Sequence, residues 1–323
     1  MRLSVKNIDK SFAEKHVLKG VNFECESGSA LGLLGRNGAG KTTIIRIIMG
    51  VFPPDSGEIE IDGEKVTKSG KTFGYLPEER GLYPKQIIMN QIIYVGMLRG
   101  MNRHDAKESA MRWLSRVGMM EYADKKLNTL SKGNQQKIQL AATLVNDPDI
   151  IILDEPFSGL DPVNAQMLKE IVGELIDSNK IVLFSSHQMG YVEQFCDNIA
   201  MLNQGKIVLS GNLKEIKRSY DRSRVLICAE IDDIKEELSK LNIWEFAEKI
   251  DSEEKGEAVI KLKNISDRDK LLKRLIDSGI SLDKYEILEP TLEEIFVEKA
   301  GEELSLIHIY EFCRHPKIYH QIL

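Results

Sequence analysis

Residues 31–45, LGLLGRNGAGKTTII, bring together the groups best suited to chemistry. Gly35, Gly40, Lys41 and Thr42 stand at the spacing G-x-x-x-x-G-K-[ST] of a phosphate-binding loop. Its glycines let the backbone bend tightly and turn N–H groups toward a polyphosphate. The loop Gly35, Arg36, Asn37, Gly38, Ala39, Gly40, Lys41, Thr42 and Thr43 would wrap that anion. The helix that follows points its positive N-terminal end at the same charge. Lys41 can reach the β- and γ-phosphates, and the Thr42 hydroxyl can ligate Mg²⁺. A second reactive pair, Asp154 and Glu155, follows the apolar run 150–153, and His187 follows KIVLFSS.

These residues need strands to deliver them. The run 31–34 reads as a buried strand, and IIRIIM as the start of a helix behind the loop. IIIL at 150–153 is a continuous apolar strand of the kind buried on both faces. It would deliver Asp154 and Glu155 at its C-terminal end, where open α/β sheets place their chemistry. Strands alternating with helices predict a mostly parallel sheet. Ahead of the loop, residues 1–9 and VNFECESG read as a small antiparallel sheet, with Phe12 between them as a ring able to stack on an adenine face. Residues 86–146 read as a helical insertion, with Ser131 at a helix start.

The 323 residues suffice for about two domains of ~150 residues. With 42% hydrophobic and 29% charged residues the chain has the composition of a soluble globular protein. A net charge of -6 gives no support to a nucleic-acid partner, and none is expected. No apolar run approaches the ~18 residues of a membrane span. The opening MRLSVKNIDK lacks the apolar core of a signal peptide. The expectation is a cytoplasmic protein, peripheral on the membrane's inner face through a partner. Cys25, Cys196, Cys228 and Cys313 show no ligand spacing and read as free buried thiols.

Seven elements in order now resemble one family, the ATP-binding subunits of ABC transporters, over residues 1 to about 215. They are Phe12, the loop GRNGAGKTT, LPEERGLYP in the place of the Q-loop, LSKGNQQK in the place of the signature, IIILDE, and SGLD followed by His187. The resemblance implies an α/β P-loop ATPase with a mostly parallel sheet, an antiparallel subdomain and a helical insertion. It implies ATP and Mg²⁺ as cofactors and ATP hydrolysis coupled to transport. Asp154 would hold the Mg²⁺ shell. Glu155, expected on the opposite side of an extended chain, would activate the attacking water. His187 would touch the γ-phosphate. Ser131 and Gly133 would bind the γ-phosphate of ATP held by a second ATP-binding subunit, a copy of this chain or a paralogue, in a head-to-tail dimer, and Asp161 would couple the two sites. An integral membrane permease subunit is the other implied partner. A soluble ABC ATPase acting on ribosomes or nucleic acid is the alternative, disfavoured by a single ATPase unit without a heptad run.

Two motifs depart from the commonest family pattern. Glu78 replaces the glutamine of the Q-loop, where it can still ligate Mg²⁺ but donates no hydrogen bond. Lys132 and Asn134 replace Gly and Gln in the signature. YLPEERGLYPK, LSKGNQQK and EPTLEEIF together resemble exporters of the sodium-extrusion and drug- or peptide-resistance type. Beyond residue 222 the pattern reads β-α-β-β-α-β, a small α+β accessory domain to residue 301 closed by a helix with a capping box at Thr291 and Glu294. Residues 304–323, with His308, His315 and His320, are expected to be a non-native or disordered tail.

Overall fold

One six-stranded sheet positions the loops that carry the motif residues. It is seen in a computed structural model that describes residues 1–79, 81–158, 160–220 and 222–300. The tail 304–323 and its histidines lie outside the described residues. In chain order the first part comprises β1 (Arg2–Phe12), β2 (Lys15–Glu26), β3 (Ala30–Leu34), α1 (Lys41–Ile48), β4 (Ser56–Ile61), β5 (Glu64–Lys65) and β6 (Phe73–Leu76). Helices α2 (Ile88–Leu98), α3 (Arg103–Arg116) and α4 (Lys132–Leu144) follow. Then come β7 (Ile150–Asp154), α5 (Pro162–Asp177), β8 (Ile181–Ser186), α6 (Met189–Phe195), β9 (Asn198–Asn203), β10 (Lys206–Asn212) and α7 (Leu213–Ser219).

The central sheet has the order β10-β9-β3-β8-β7-β6. Its pairs are parallel except β9 with β10. Every residue of β3, β7 and β8 is buried, which explains their unbroken apolar runs. On one face Leu31, Leu33, Ile150, Ile152, Ile181 and Leu183 share a core with Ile44, Ile45 and Ile48 of α1. The same core takes Leu3, Val5 and Val21 from the antiparallel sheet β2-β1-β4-β5. Because β8 lies between β3 and β7, the C-terminal ends of these three strands are neighbours. The phosphate loop, His187 and the Asp154–Glu155 pair therefore emerge side by side, although far apart in sequence.

The second part comprises β11 (Arg224–Ala229), α8 (Ile234–Lys240), β12 (Ala247–Glu254), β13 (Glu257–Leu262), α9 (Arg268–Asp277), β14 (Leu282–Ile287) and α10 (Leu292–Ala300). Its strands form an antiparallel sheet in the order β12-β13-β11-β14. Val225, Ile227 and Ile260 pack there against Ile234 and Leu238 of α8 and Leu271 and Leu275 of α9. The capping box of α10 is formed: Thr291 N donates to Glu294 Oε2 at 2.8 Å and Glu294 N to Thr291 Oγ1 at 3.2 Å.

The chain divides into two compact units, Met1–Leu213 joined by the helix turn from Phe296, and Lys214–Ile295. Among the described residues no helix is long and apolar enough to cross a membrane. Cys25 and Cys196 are buried free thiols, and burial pushes the Cys25 thiol up to about 12. Cys228 is half-exposed, because it lies on the open face of β11, and so departs from the buried reading.

Candidate functional site

A cavity of about 400 Å³ opens at the C-terminal edge of the sheet. Arg36, Asn37, Gly38, Gly40, Lys41, Thr42 and Thr43 line it together with Glu78, Asp154 and Glu155. Two of the loop glycines are required where they stand. Gly40 takes φ +113°, and a Cβ there would lie 2.7 Å from Leu18. A Cβ on Gly35 would lie 2.4 Å from the carbonyl oxygen of Leu202. Ala39 is buried behind the loop rather than in the lining. Gly40 is also the N-cap of α1, and no side chain caps that helix. Its first-turn N–H groups, without intrahelical partners, are thus left for an anion in the cavity.

Lys41 is buried, and a buried ammonium must be paired. Its Nζ donates to Gly35 O at 2.6 Å and lies 3.5 Å from Glu155 Oε1. Glu155 is buried as well. His187 Nδ1 lies 2.8 Å from Glu155 Oε1, and Ser186 Oγ donates to Glu155 Oε2 at 3.2 Å. The imidazole is close to Oε1 without being aligned as a donor, so that oxygen is a buried acceptor lacking a directed hydrogen bond. A water or a phosphate-bound hydroxyl is the natural donor for it.

The sequence reading of Glu155 needs a correction. It does not continue the extended strand, and it does not face away from Asp154. Its φ is +49°, in the left-handed region, which turns its carboxylate into the cavity that Asp154 also lines. Such a conformation costs about 1–3 kcal/mol in a residue with a side chain. The surroundings fix it: Glu155 N donates to Ser185 O at 3.0 Å, and Glu155 O accepts from Ser158 N at 3.1 Å.

Several expected residues stand outside the cavity lining, among them Gly35 and His187, which reaches the site through its contact with Glu155. Phe12 is exposed and packs edge-on against Phe52, with ring centroids 5.5 Å apart. Ser131 caps α4, accepting from Asn134 N at 3.4 Å. Gly133 lies on the first turn of that helix. Asp161 caps α5, accepting from Asn164 N at 2.9 Å and from Asn164 Nδ2 at 2.6 Å. Lining residues not foreseen are Lys15 and Val17 of β2. Their signal was indirect: Lys15 pairs with Phe12 across the β1–β2 hairpin, which leads the strand past the loop.

The donor set fits ATP with Mg²⁺. Among the described residues no group of three or more His, Cys, Asp and Glu is gathered as a metal cage. Mg²⁺ does not need one, since it is usually held by one or two carboxylates and completes its shell with water and phosphate. Thr42, Asp154 and Glu78 offer hard oxygen ligands around the uncapped helix end.

Fold and site together define a P-loop ATPase. Comparison with known proteins makes the class narrower. The family profile described as ABC transporter matches residues 18–158, and the profile described as ATP-binding protein DrrA1-3-like, C-terminal domain, matches residues 211–300. An uncharacterized ABC transporter ATP-binding protein of Bacillus subtilis (strain 168), YhaQ, is 40% identical over 300 residues, covering 93% of this chain and 98% of that protein. The linearmycin resistance ATP-binding protein LnrL of the same strain is 30% identical over 317 residues, covering 94% of this chain and 99% of that one. A solved structure described as the ATP binding subunit of an ABC transporter matches with a TM-score of 0.63 at 28% identity, over 68% of this chain and 93% of that chain. This chain belongs to the ABC transporter ATP-binding proteins. It has the P-loop ABC ATPase fold and a DrrA1-3-like C-terminal domain, and its family binds ATP and hydrolyses it in transport. Subunits of this kind dimerise and work with membrane permease components.

Proposed function

We propose that this chain is the ATP-hydrolysing subunit of an exporter, driving a small ion, a drug or a peptide through a separate membrane subunit. Residues 1–215 act as its ATP-binding domain and residues 222–301 as an accessory domain. The chain works at the cytoplasmic face of the membrane, held there by its permease. One observation carries this reading. The loop that begins at Glu78, on the cavity wall, is tied to two helices, one of which shows an exposed apolar stripe. Gln139 of α4 donates to the carbonyl oxygens of Pro77 and Glu79 at 3.4 and 3.2 Å. Gln91 of α2 accepts from Tyr83 N at 2.7 Å. Tyr94, Met97 and Leu98, at i, i+3 and i+4 on α2, are exposed, as is Tyr83. A change at the phosphates is thereby linked to a greasy surface suited to a membrane protein's cytoplasmic loops.

In the cavity the chain's own groups divide the work. Lys41 releases Gly35 O and Glu155 and pairs with the β- and γ-phosphates, while the α1 N–H groups hold the polyphosphate. Mg²⁺, held by Thr42, Asp154 and Glu78, would neutralise phosphate charge. Glu155, freed from Lys41, orients and accepts a proton from the attacking water. His187 contacts the γ-phosphate from the neighbouring strand end. Ser131 and Gly133 serve ATP bound by a second ATP-binding subunit, and Asp161 couples the two sites. The resistance role named for LnrL and the DrrA1-3-like domain favour export.

Affinity capture of the tagged chain from gently solubilised host membranes tests the assignment. A stoichiometric polytopic membrane protein is the expected partner. Recovery with ribosomal or DNA-associated proteins and no permease would contradict it.

A further inference from the structure

The carboxylate of Asp154 is gripped from both sides by hydroxyls that no motif names. β7 runs between β6 and β8. Tyr75 of β6 pairs with Ile152, and Ser185 of β8 pairs with Asp154 itself. Side chains two residues apart on a strand share a face. Tyr75 therefore stands diagonally beside Asp154, and Ser185 directly beside it. The Tyr75 hydroxyl donates to Asp154 Oδ2 at 3.1 Å, and Ser185 Oγ donates to Asp154 Oδ1. Asp154 and Ser185 are buried and Tyr75 is half-buried. A phenol ordinarily titrates near pH ~10, so the Tyr75 hydroxyl is a donor at neutral pH.

We propose that Tyr75, seconded by Ser185, is a positioning residue that fixes the Asp154 carboxylate for the Mg²⁺ shell and so sets metal affinity rather than nucleotide affinity. The proposal rests on reading Asp154 as part of that shell. An ionised carboxylate offers about four lone-pair sites. Two are taken by these hydroxyls, which locks the rotation of the group and leaves its remaining sites for the cavity. Two opposing effects follow. Donation to the carboxylate lowers its basicity, which weakens its hold on a cation. Orientation removes the ordering cost, which strengthens it. Orientation wins in characterised metal sites, where loss of a partner that orients a ligand typically weakens metal binding by about 10–100-fold.

The test is a Mn²⁺ titration of the full chain with a non-hydrolysable ATP analogue, read by electron paramagnetic resonance, beside analogue binding in EDTA. Tyr75→Phe should weaken Mn²⁺ binding about tenfold and leave binding in EDTA unchanged within about twofold. Steady-state turnover should follow, with the half-saturating Mg²⁺ concentration raised and kcat at saturating Mg²⁺ largely recovered. Ser185→Ala should move the same way and Ser185→Thr should restore binding, which keeps the proposal testable if Tyr75→Phe fails to fold. Asp154→Asn separates the proposal from its foundation. Weak Mn²⁺ binding in Asp154→Asn with wild-type binding in Tyr75→Phe would overturn the role of Tyr75 alone. Wild-type Mn²⁺ binding in Asp154→Asn would remove Asp154 from the shell, and the proposal with it.

Discussion

Lys41 opens a helix that no side chain caps, whereas Ser131 and Asp161 cap the helices they open. The first end is buried and faces a cavity; Ser131 and Asp161 are exposed and line none of it. One end is thus built to receive an anion from within its own chain. The other two satisfy their own backbone, and of their caps only the Ser131 hydroxyl can also donate. The two caps also differ from each other. Asp161 holds Asn164 through two bonds of 2.9 and 2.6 Å, a fixed arrangement. Ser131 accepts at 3.4 Å, beyond the usual hydrogen-bond range, and its hydroxyl keeps a hydrogen to donate elsewhere. A capping serine can therefore serve a phosphate brought by another molecule without giving up its helix. A second ATP-binding subunit would meet that need.

The contrast can be broken at four points. Glu155→Gln keeps the cavity's shape but removes the proton acceptor. Turnover should fall by about 10²–10⁴-fold with ATP binding retained, measured by phosphate release beside nucleotide titration. Lys41→Ala strikes the receiving end. A charge-assisted hydrogen bond contributes about 1.5–3 kcal/mol, so ATP affinity should drop roughly ten- to hundredfold by calorimetry. Ser131→Ala strikes the presenting end. ATP affinity of the single chain should be unchanged, while turnover should fall about tenfold and thermal melting should register about 1 kcal/mol of lost capping. Phe12→Ala gives the smallest effect. Phe12 already rests on Phe52, so gaining an adenine face trades one ring contact for another. ATP affinity should fall about fivefold, with inorganic triphosphate binding unmoved, because base stacking is worth ~1–3 kcal/mol less whatever contact it replaces.

Apart from Lys15 and Val17, the residues of the site were largely visible in the sequence, because the central ones follow continuous apolar strands. Lys41 after LGLLG, Asp154 after IIIL and the strand leading to His187 are local signals. Periodicity announces the strand, and the polar residue at its end announces the chemistry. Backbone conformation was not visible in this way. Glu155 reads as the next residue of a strand, yet its left-handed φ turns it beside Asp154. Cross-strand register was equally hidden. That Tyr75 reaches Asp154 follows from the pairing of β6 with β7, which the sequence does not state. The ring partner of Phe12 was hidden for another reason: a ring at a strand end has several apolar neighbours to choose from, and Phe52 is the one it meets. In the second unit the order of strands and helices was legible from alternation and turns, and the capping box at Thr291 was legible from residue types alone.

The most direct test of the division between a receiving and a presenting end is sedimentation of the full-length Glu155→Gln chain with ATP and Mg²⁺. Hydrolysis no longer reopens the pair, so the chain should convert from monomer to dimer with one ATP per protomer. Adding Ser131→Ala to that variant should return it toward monomer with ATP still bound. A chain that remains monomeric at saturating ATP, or a dimer indifferent to Ser131, would contradict the assignment of the two ends to one shared site.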